Sequence, residues 1–284
     1  MRGTMYRLES RNSLVSAAMN EDVSPLLAGK AYDEPSVFRP ENLLREGRRQ
    51  LRRADAAVPS ICLLDPDGDL VRHVVDAGRA TEHAGWSCYH TRLWTFDLHG
   101  KEVGVVGSAV GASFAVLVAE QLAAAGCELL ISVTSAGSIT AVAEPPYFVV
   151  IDRALRDEGT SHHYLPPGTW AEAPAALIDR LDGTLRDLGR PVVTGSTWTT
   201  DAPYRETPSA IAHAERLRIV AVEMEAAGLY AYAAARRRRV LCVAHVTNTM
   251  ATAGDDFEKG EADGAHDVLE LVAAVIATLG TLPR

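Results

Sequence analysis

The stretch Val103–Thr134, VGVVGSAVGASFAVLVAEQLAAAGCELLISVT, decides the fold of this chain. Its first apolar run, Val103–Gly107, is short and rich in Val, which predicts a strand. The Ala-rich segment Ala112–Ala125 has helical periodicity, and a second apolar run follows at Leu129–Thr134. A strand, a helix and a second strand in this order predict two parallel strands joined by a crossover helix.

The same alternation continues on both sides of this unit. Because strands alternate with helices, we expect a largely parallel sheet that is covered on both faces. The segment Thr91–Leu98 alternates polar and apolar residues and is followed by His99-Gly100, which predicts an antiparallel hairpin and therefore a mixed sheet. Further strands are predicted at Ile61–Leu64, Tyr147–Ile151, Val192–Ser196 and Val240–Thr247, and further helices at Pro174–Leu188, Pro208–Arg216, Glu223–Arg237 and Asp263–Leu279.

Length and composition favour an α/β fold built as a single-domain three-layer α/β/α sandwich with a mixed central sheet. With 284 residues, 47% of them hydrophobic, the chain can bury a large core. The regular pattern begins near Ser60, so we place this domain at residues 59–284 and an N-terminal extension or arm at residues 1–58. The arm's arginines indicate either a solvated helix face or a segment that packs on a partner subunit; they are Arg45, Arg48, Arg49, Arg52 and Arg53.

Charge, cysteine usage and hydropathy argue against several classes of partner. The net charge of −9 argues against nucleic acid. The four cysteines have no metal-ligand spacing and indicate buried thiols in a reducing compartment. The uncharged run Val103–Ala119 is short for a membrane span, and Met1–Ser13 lacks the apolar core of a signal peptide. We therefore expect a soluble, cytoplasmic protein with no membrane partner.

Ligands of open α/β sheets bind beyond the carboxyl ends of the strands, so the residues after each strand are the site candidates. Ser108 and Gly111 follow the first strand of the quoted stretch and precede a helix, whose free N–H groups can bind an anion; alternatively, the glycines serve only tight packing. Ser135 and Gly137 follow the second strand. They form either an ordinary turn or one whose hydroxyl and N–H groups hold phosphate or ribose oxygens.

Two carboxylates and an amide follow later strands. Glu223 and Glu225 are predicted to open a helix, where the dipole stabilises a carboxylate, so one of them can be a cap. Residues two apart on a helix point about 200° away from each other, so only one of the pair is expected to face the ligand. Asn248 ends its strand with both a donor and an acceptor. His245, inside the same strand, is expected to be a satisfied core histidine.

Four stretches, in this order along the chain, resemble the nucleoside phosphorylase superfamily, nearest to its uridine phosphorylase branch. They are Gly104–Gly111, Ile131–Ile139, Arg156–Tyr164 and Val222–Ala227, and the resemblance runs from about Ile61 to the C-terminus. The last, Val-Glu-Met-Glu-Ala-Ala, is the most specific. The third is similar to the family's Asp-Gly-Ala-Ser-x-His-Phe motif. The resemblance implies a phosphorylase/hydrolase-like fold and cleavage of the N-glycosidic bond of a nucleoside, with neither metal nor organic cofactor.

The resemblance also implies roles for single residues. Glu225 would accept hydrogen bonds from the ribose 2′ and 3′ hydroxyls, and Met224 would pack against the sugar. Ser135 would touch phosphate and sugar, and Gly137 would line the base pocket. Asn248 would support the leaving base by hydrogen bonds, because an amide supplies no proton at neutral pH. Arg205 would contact either base or phosphate, and the predicted substrate-binding set is completed by Ser108, Glu223 and His163.

The chain departs from the family where phosphate would bind. The family's Gly-Asp-Pro-x-Arg motif corresponds to Leu64–Gly68, so Gly68 stands at the first arginine position and Ser132 at the second. Inorganic phosphate, the family's co-substrate, thus loses two charge-assisted contacts, for which Arg72, His73 or an arm arginine are possible substitutes. Three alternatives stay open: phosphorolysis, which the family favours, hydrolysis by water, and nucleoside binding without catalysis. The family also implies a homo-oligomer, a dimer or a hexamer.

Overall fold

The computed structural model of the protein describes residues 24–186, 188–249, 257 and 259–280, so the predictions made on Met1–Ser13 lie outside the described residues. The first half contains helix α1 (Pro40–Leu51), strand β1 (Ile61–Asp65), helix α2 (Asp69–Asp76), strands β2 (Ala80–Glu82), β3 (Leu93–Leu98) and β4 (Lys101–Gly107), helix α3 (Ala112–Ala124) and strand β5 (Leu129–Ser138). The second half contains β6 (Tyr147–Asp157), α4 (Ser161–Tyr164), β7 (Trp170–Glu172), α5 (Ala175–Leu181), β8 (Val192–Thr200), α6 (Pro208–Arg216), β9 (Ala221–Glu223), α7 (Ala226–Arg236), β10 (Arg239–Asn248) and α8 (Ala265–Leu279). Two 3₁₀ helices lie at Pro203–Arg205 and Glu261–Gly264.

The strands form one mixed sheet, as predicted. β1 pairs in parallel with both β4 and β5, and β5 pairs in parallel with β10. The predicted hairpin is present, because β3 pairs antiparallel with β4 from Leu93 to Leu98. Part of the sheet closes on itself, since β10 also pairs with β6, β6 with β8, and β9 links β8 back to β5. The sequence analysis did not foresee this closed ring of five strands.

Helices cover both faces of the sheet, which confirms the three-layer prediction. The apolar side chains of α3 and α7 pack in one core, and those of α2, α5 and α8 pack in another. The arm helix α1 joins the first core through Leu44, which is 2% exposed, while Arg45 and Arg49 on its other side are exposed. Contact of the arm with a partner subunit stays a prediction. The buried free thiols are Cys62, Cys88, Cys127 and Cys242.

Two predicted boundaries near the candidate site are wrong. The residues Ser135–Ser138 are not a turn, because β5 continues through them and pairs there with β10 and β9. The helix predicted from Glu223 begins at Ala226, because Ala221–Glu223 forms β9 and Glu225 is the residue before the helix. The argument that separated the two glutamates by 200° therefore does not apply, since neither lies inside the helix.

Two other predicted helices are shorter than expected. The helix predicted to extend to Leu188 ends at Leu181, because Asp182 leaves the helical conformation and Gly183 has a φ of +74°. The last helix begins at Ala265 rather than Asp263, because Asp263 has a positive φ. Within the described residues, the helices are all too short or too polar to cross a lipid bilayer.

Candidate active site

A cavity of about 330 Å³ opens at the edge of the sheet where the parallel strands end. This volume lies at the lower end of the range found for small-molecule sites. Three of the segments that meet in its wall are the end of β5, the residues from β9 to α7, and the end of β10. The described residues that line it are Ser135, Ala136, Gly137, Pro203, Tyr204, Glu206, Val222, Glu223, Met224, Asn248 and Phe257.

Five predicted site residues lie in this wall: Ser135, Gly137, Glu223, Met224 and Asn248. Gly137 and Asn248 are register partners at the ends of β5 and β10, at an irregularity in the pairing. Asn248 is only 8% exposed. The juxtaposition of the three segments agrees with the strand-end argument made from sequence, and the contacts of these residues with a substrate stay a prediction.

Glu223 has a structural function at the start of α7. Its buried carboxylate accepts hydrogen bonds from the hydroxyls of Thr197 and Thr199 and from the backbone N–H groups of Glu225 and Ala226. Burial raises the pKa of Glu223, and the hydrogen bonds it accepts oppose that shift. Four donors occupy both oxygens, so Glu223 fixes the backbone that presents Met224 and Glu225.

The carboxylate of Glu225 lies behind the cavity wall, and one of its oxygens is available. Oε1 accepts a hydrogen bond of 2.7 Å from the N–H of Gly111, the residue before α3. Oε2 is buried and has no hydrogen-bond partner among the described residues. A buried polar atom without a partner is rare in folded proteins, and a bound ligand is one explanation. Glu225 is 1% exposed and is not among the described residues that line the open cavity.

The environment of Glu225 favours its neutral form. Burial first and the charge of the neighbouring Glu223 second raise the pKa of Glu225 to about 8, against the hydrogen bond from the Gly111 N–H. Two buried carboxylates two residues apart thus differ in function. Glu223 is saturated by hydrogen bonds from the chain, whereas one oxygen of Glu225 accepts none from the described residues.

The turn after β1 reaches Ser135 and occupies its polar groups. Asp67 Oδ2 accepts a hydrogen bond of 2.9 Å from the backbone N–H of Ser135, and Asp67 Oδ1 accepts one of 2.9 Å from its hydroxyl. Lys259 lies beside this turn, with its Nζ 2.5 Å from Asp69 Oδ2 and 3.9 Å from Asp67 Oδ2. A carboxylate therefore binds the two donors that the family resemblance assigns to phosphate and sugar.

A second cavity, of only about 20 Å³, lies between this turn and β10. Asp65 lines this cavity. Burial, and after it the charges of Asp67 and Asp69, raise the pKa of Asp65 to about 7, while the hydrogen bond from the Val71 N–H opposes this shift. His245 also lines it and is a buried core residue, as predicted. Contrary to the prediction, the hydrogen-bonding groups of His245 are not all satisfied, because its Nε2 has no hydrogen-bond partner among the described residues. Burial lowers the pKa of His245 to about 4, so its ring is neutral.

Besides Glu225, three predicted site residues lie outside the cavity wall. Ser108 is exposed in the turn between β4 and α3, where its N–H bonds the carbonyl of Asp65. Arg205 is exposed in the 3₁₀ helix, whose neighbouring residues line the cavity while Arg205 does not. His163 is exposed on α4, and its Nδ1 lies 3.1 Å from the Nζ of Lys30. The segment whose motif led to His163 is held in place by Arg156. The guanidinium of Arg156 donates hydrogen bonds to the hydroxyl of Ser161 and to the carbonyls of Leu165 and Pro166.

At the two positions where the family has arginine, the structure shows a glycine with positive φ and a buried serine. Gly68 has a φ of +80° and precedes α2, a conformation that favours glycine over arginine. Ser132 is buried in β5, 1% exposed. Among the substitutes considered from sequence, Arg72 is paired with Asp69, and the ring of His73 contacts that of His266.

Sequence reasoning missed Asp67, Glu206 and Lys259. Asp67 was visible as the acidic residue between Pro66 and Gly68 at a strand end, and that position was the available signal. Glu206 and Lys259 lie in irregular segments, where no periodicity predicts which way a side chain points. Their positions follow from the tertiary structure alone.

Comparison with known proteins gives a consistent picture. The family model described as "Phosphorylase superfamily" matches residues 60–277. A purine nucleoside phosphorylase of the DeoD type from Colwellia psychrerythraea is 29% identical over 180 residues, which is 63% of this chain and 77% of that protein. The DeoD-type purine nucleoside phosphorylase of Bacillus subtilis is 26% identical over 182 residues, with the same two shares.

Solved structures share the fold at low sequence identity. A uridine phosphorylase from Vibrio fischeri, in complex with 6-hydroxy-1-naphthoic acid, superposes with a TM-score of 0.68 at 18% identity, over 82% of this chain and 99% of that one. A purine nucleoside phosphorylase from Toxoplasma gondii, in complex with immucillin-H, gives a TM-score of 0.68 at 18% identity, over 81% and 94%. Both a pyrimidine and a purine enzyme therefore resemble this chain in fold.

Proposed function

This chain belongs to the phosphorylase superfamily, and from that premise we propose that it cleaves the N-glycosidic bond of a nucleoside by pentosyl transfer to phosphate. One observation carries the proposal. A cavity of nucleoside size is formed by the ends of β5 and β10 and by Met224, next to a buried glutamate with one oxygen free of hydrogen bonds, Oε2 of Glu225. That oxygen is the acceptor that a ribose hydroxyl requires.

In the proposed reaction the enzyme holds the ribose while its bond to the base stretches. The electron pair of the C1′–N bond leaves with the base, which takes up a proton from solvent. An oxygen of phosphate forms the new bond to C1′, so the products are the free base and ribose 1-phosphate. Positioning of sugar and acceptor, together with stabilisation of the positive charge at C1′, accounts for the rate.

Each residue in the cavity wall has a proposed task in this reaction. Glu225 accepts hydrogen bonds from the ribose hydroxyls, and Met224 packs against the sugar. Gly137 leaves space for the base, and Asn248 stabilises the departing base through its amide. Ser135 contacts phosphate and sugar through its N–H and hydroxyl.

Hydrolysis is the second candidate, and the two missing arginines favour it. Gly68 and Ser132 supply none of the charge that binds phosphate in the family, so water is the alternative acceptor and free ribose the alternative product. A protein that only binds nucleosides would keep the ribose site but would not cleave the bound nucleoside. The three functions differ in a single measurable property, the requirement for phosphate.

The decisive experiment incubates the purified protein with purine and pyrimidine nucleosides, with and without phosphate, and separates the products by chromatography. Base release that requires phosphate is the expected result. Base release without phosphate identifies a nucleosidase, and binding without base release identifies a sensor. Failure to bind any nucleoside of the panel would overturn the proposal.

The oligomeric state and the cellular location of the protein belong to the same proposal. By its resemblance to the family, we infer that the chain forms a homo-oligomer, a dimer or a hexamer, in the cytoplasm. Its acidic net charge of −9 supports a small-molecule substrate rather than nucleic acid.

A further inference from the structure

The strongest unexplained feature is the position of Asp67. Its two carboxylate oxygens bind the N–H and the hydroxyl of Ser135, each over 2.9 Å. This is the pattern in which two oxygens of a phosphate would bind the same two donors. The inference drawn from it rests on the proposed function, in which Ser135 contacts the anionic acceptor.

An anion and the Asp67 carboxylate exclude each other at Ser135 for two reasons. The backbone N–H is a single donor and the hydroxyl carries a single hydrogen, so neither can serve two acceptors at full strength. Both competitors are also negatively charged, and Asp65 and Asp69 lie on the same turn. Like charges repel at such short range, so the carboxylate opposes the approach of phosphate.

The space at this turn agrees with the electrostatics. The cavity that Asp67, Ser135 and Lys259 share has a volume of about 20 Å³. A cavity of that size holds about one water molecule. Ser135 also lines the open cavity of about 330 Å³, but a phosphate there binds its two donors only if the Asp67 carboxylate releases them.

Lys259 provides a cation beside the turn after β1, both when Asp67 is bound to Ser135 and when it is displaced. Its Nζ lies 3.9 Å from Asp67 Oδ2 and 2.5 Å from Asp69 Oδ2. When Asp67 leaves Ser135, the ammonium group is close enough to bind either the displaced carboxylate or the incoming anion. Among the described side chains around this cavity, the ammonium group of Lys259 is the cation.

We propose that Asp67 determines the acceptor specificity of this site: it is an internal competitor of phosphate at Ser135 and thereby sets the balance between phosphate and water. While the carboxylate occupies both donors, phosphate finds no hydrogen-bond donor at Ser135, whereas water requires no anion site there. When the carboxylate is absent, Ser135 and Lys259 form a phosphate site that needs neither of the missing arginines.

The test measures binding of inorganic phosphate to the full-length protein by isothermal titration calorimetry. In D67A both donors of Ser135 become available and one negative charge beside Lys259 is removed, so we expect phosphate to bind about tenfold more tightly than in the wild type or better. In D67N the amide removes the charge but still occupies one donor, so the gain is expected to be smaller. If D67A fails to fold, the phosphate affinity of D67N relative to that of the wild type decides: tighter binding in D67N supports the proposal, and equal or weaker binding overturns it.

The matched control is D69A, which removes a negative charge from the same turn and leaves Ser135 occupied. A gain in D69A equal to that in D67A would mean that general charge governs phosphate binding and would overturn the proposal. The double variant D67A/S135A tests the donors directly and is expected to lose the gain. Phosphate binding in D67A that is equal to or weaker than in the wild type also overturns the proposal.

A second readout separates this inference from the proposed function. With a nucleoside that is cleaved, D67A is expected to raise the ratio of ribose 1-phosphate to ribose at fixed phosphate concentration. If no nucleoside is cleaved but D67A gains phosphate affinity, the proposed function fails and the inference on Asp67 stands. If the wild type performs phosphorolysis and D67A shows no gain in phosphate affinity, the function stands and the inference fails.

Discussion

At the scale of single residues, the two oxygens of Glu225 have different environments. Oε1 is bonded to the N–H of Gly111, whereas Oε2 is buried without a partner among the described residues. The first bond aligns the carboxylate against the start of α3, and in the proposed function the second oxygen accepts a hydrogen bond from the ribose. Stability alone does not account for this arrangement, because an unsatisfied buried oxygen costs about 1–3 kcal/mol.

Substitution of Glu225 tests this assignment. We expect E225A to lower kcat/KM for nucleoside cleavage by about a hundredfold or more, because charge-assisted hydrogen bonds to the ribose hydroxyls are lost. Steady-state kinetics on the purified variant provide the measurement. E215A, which removes an exposed carboxylate on α6, serves as the control. Full activity of E225A would remove Glu225 from the site.

The raised pKa of Glu225 predicts how activity depends on pH. A carboxylate accepts hydrogen bonds from two ribose hydroxyls better than a neutral acid does, and the pKa of Glu225 is about 8. We therefore expect kcat/KM to rise as the pH increases towards 8. In E225Q the residual activity is expected to lack this rise, and an unchanged pH profile in E225Q would assign the rise to another group.

Asp65 predicts a dependence of stability on pH. Its pKa of about 7 in the folded protein lies above the ordinary aspartate pKa of about 3.8, so its contribution to stability is full below about pH 3.8 and is lost as the pH rises through about 7. Relative to the wild type, D65N is expected to gain up to about 2 kcal/mol in free energy of unfolding between pH 5 and pH 8. Urea unfolding at the two pH values measures the change, and a constant difference between the two proteins would contradict it.

At the scale of elements, one hydroxyl joins β8, β9 and α7. Thr199 donates to the carboxylate of Glu223, and its oxygen accepts a 2.9 Å hydrogen bond from the N–H of Ala227. Glu223 in turn accepts from the backbone N–H groups of Glu225 and Ala226. The carboxylate and the hydroxyl together satisfy N–H groups at the start of α7, which have no partner within the helix.

Removal of this hydroxyl is expected to weaken the junction. T199V keeps the shape of the side chain but leaves the N–H of Ala227 and one carboxylate oxygen with fewer partners, which is expected to cost about 2 kcal/mol in free energy of unfolding. Chemical denaturation measures this. T194V, at an exposed position of the same strand, is the control and is expected to change stability little. Equal losses in both variants would show that β8 simply does not tolerate valine.

At the scale of the whole molecule, the sheet combines an open and a closed part. β2, β3, β4 and β1 form the open side, and β5, β10, β6, β8 and β9 close into a ring. The candidate cavity lies at the ends of β5, β9 and β10, which belong to the ring, so its walls come from segments more than 100 residues apart in the chain.

The proposed oligomer is tested on the intact protein. Light scattering after size-exclusion chromatography is expected to give an even multiple of the monomer mass, because the family implies a dimer or a hexamer. Several large apolar side chains near the arm are exposed in the single chain, which favours their burial by a second copy; they are Val37, Phe38 and Leu117. A monomer at micromolar concentration would contradict the expectation.

Much of the fold could be predicted because its signals are local. Apolar runs and helical periodicity identified the strands and helices that form the layers, and strand ends pointed to Ser135 and Asn248. The predictions that failed concern positions where a distant segment decides the local structure. Ser135–Ser138 is strand only because β9 and β10 pair with it, and Glu223 is strand because β9 pairs with β5 and β8.

The amino-acid sequence by itself determined the alternation of strands and helices, and with it the layers and the edge at which ligands bind, because side-chain periodicity is a property of neighbouring residues. Tertiary structure alone decided which polar groups meet at that edge. Asp67 reaches Ser135 across 68 positions, and Glu225 reaches Gly111 across 114. Hydrogen bonds of this kind depend on how the sheet brings strand ends together, and spacing along the chain contains no record of it.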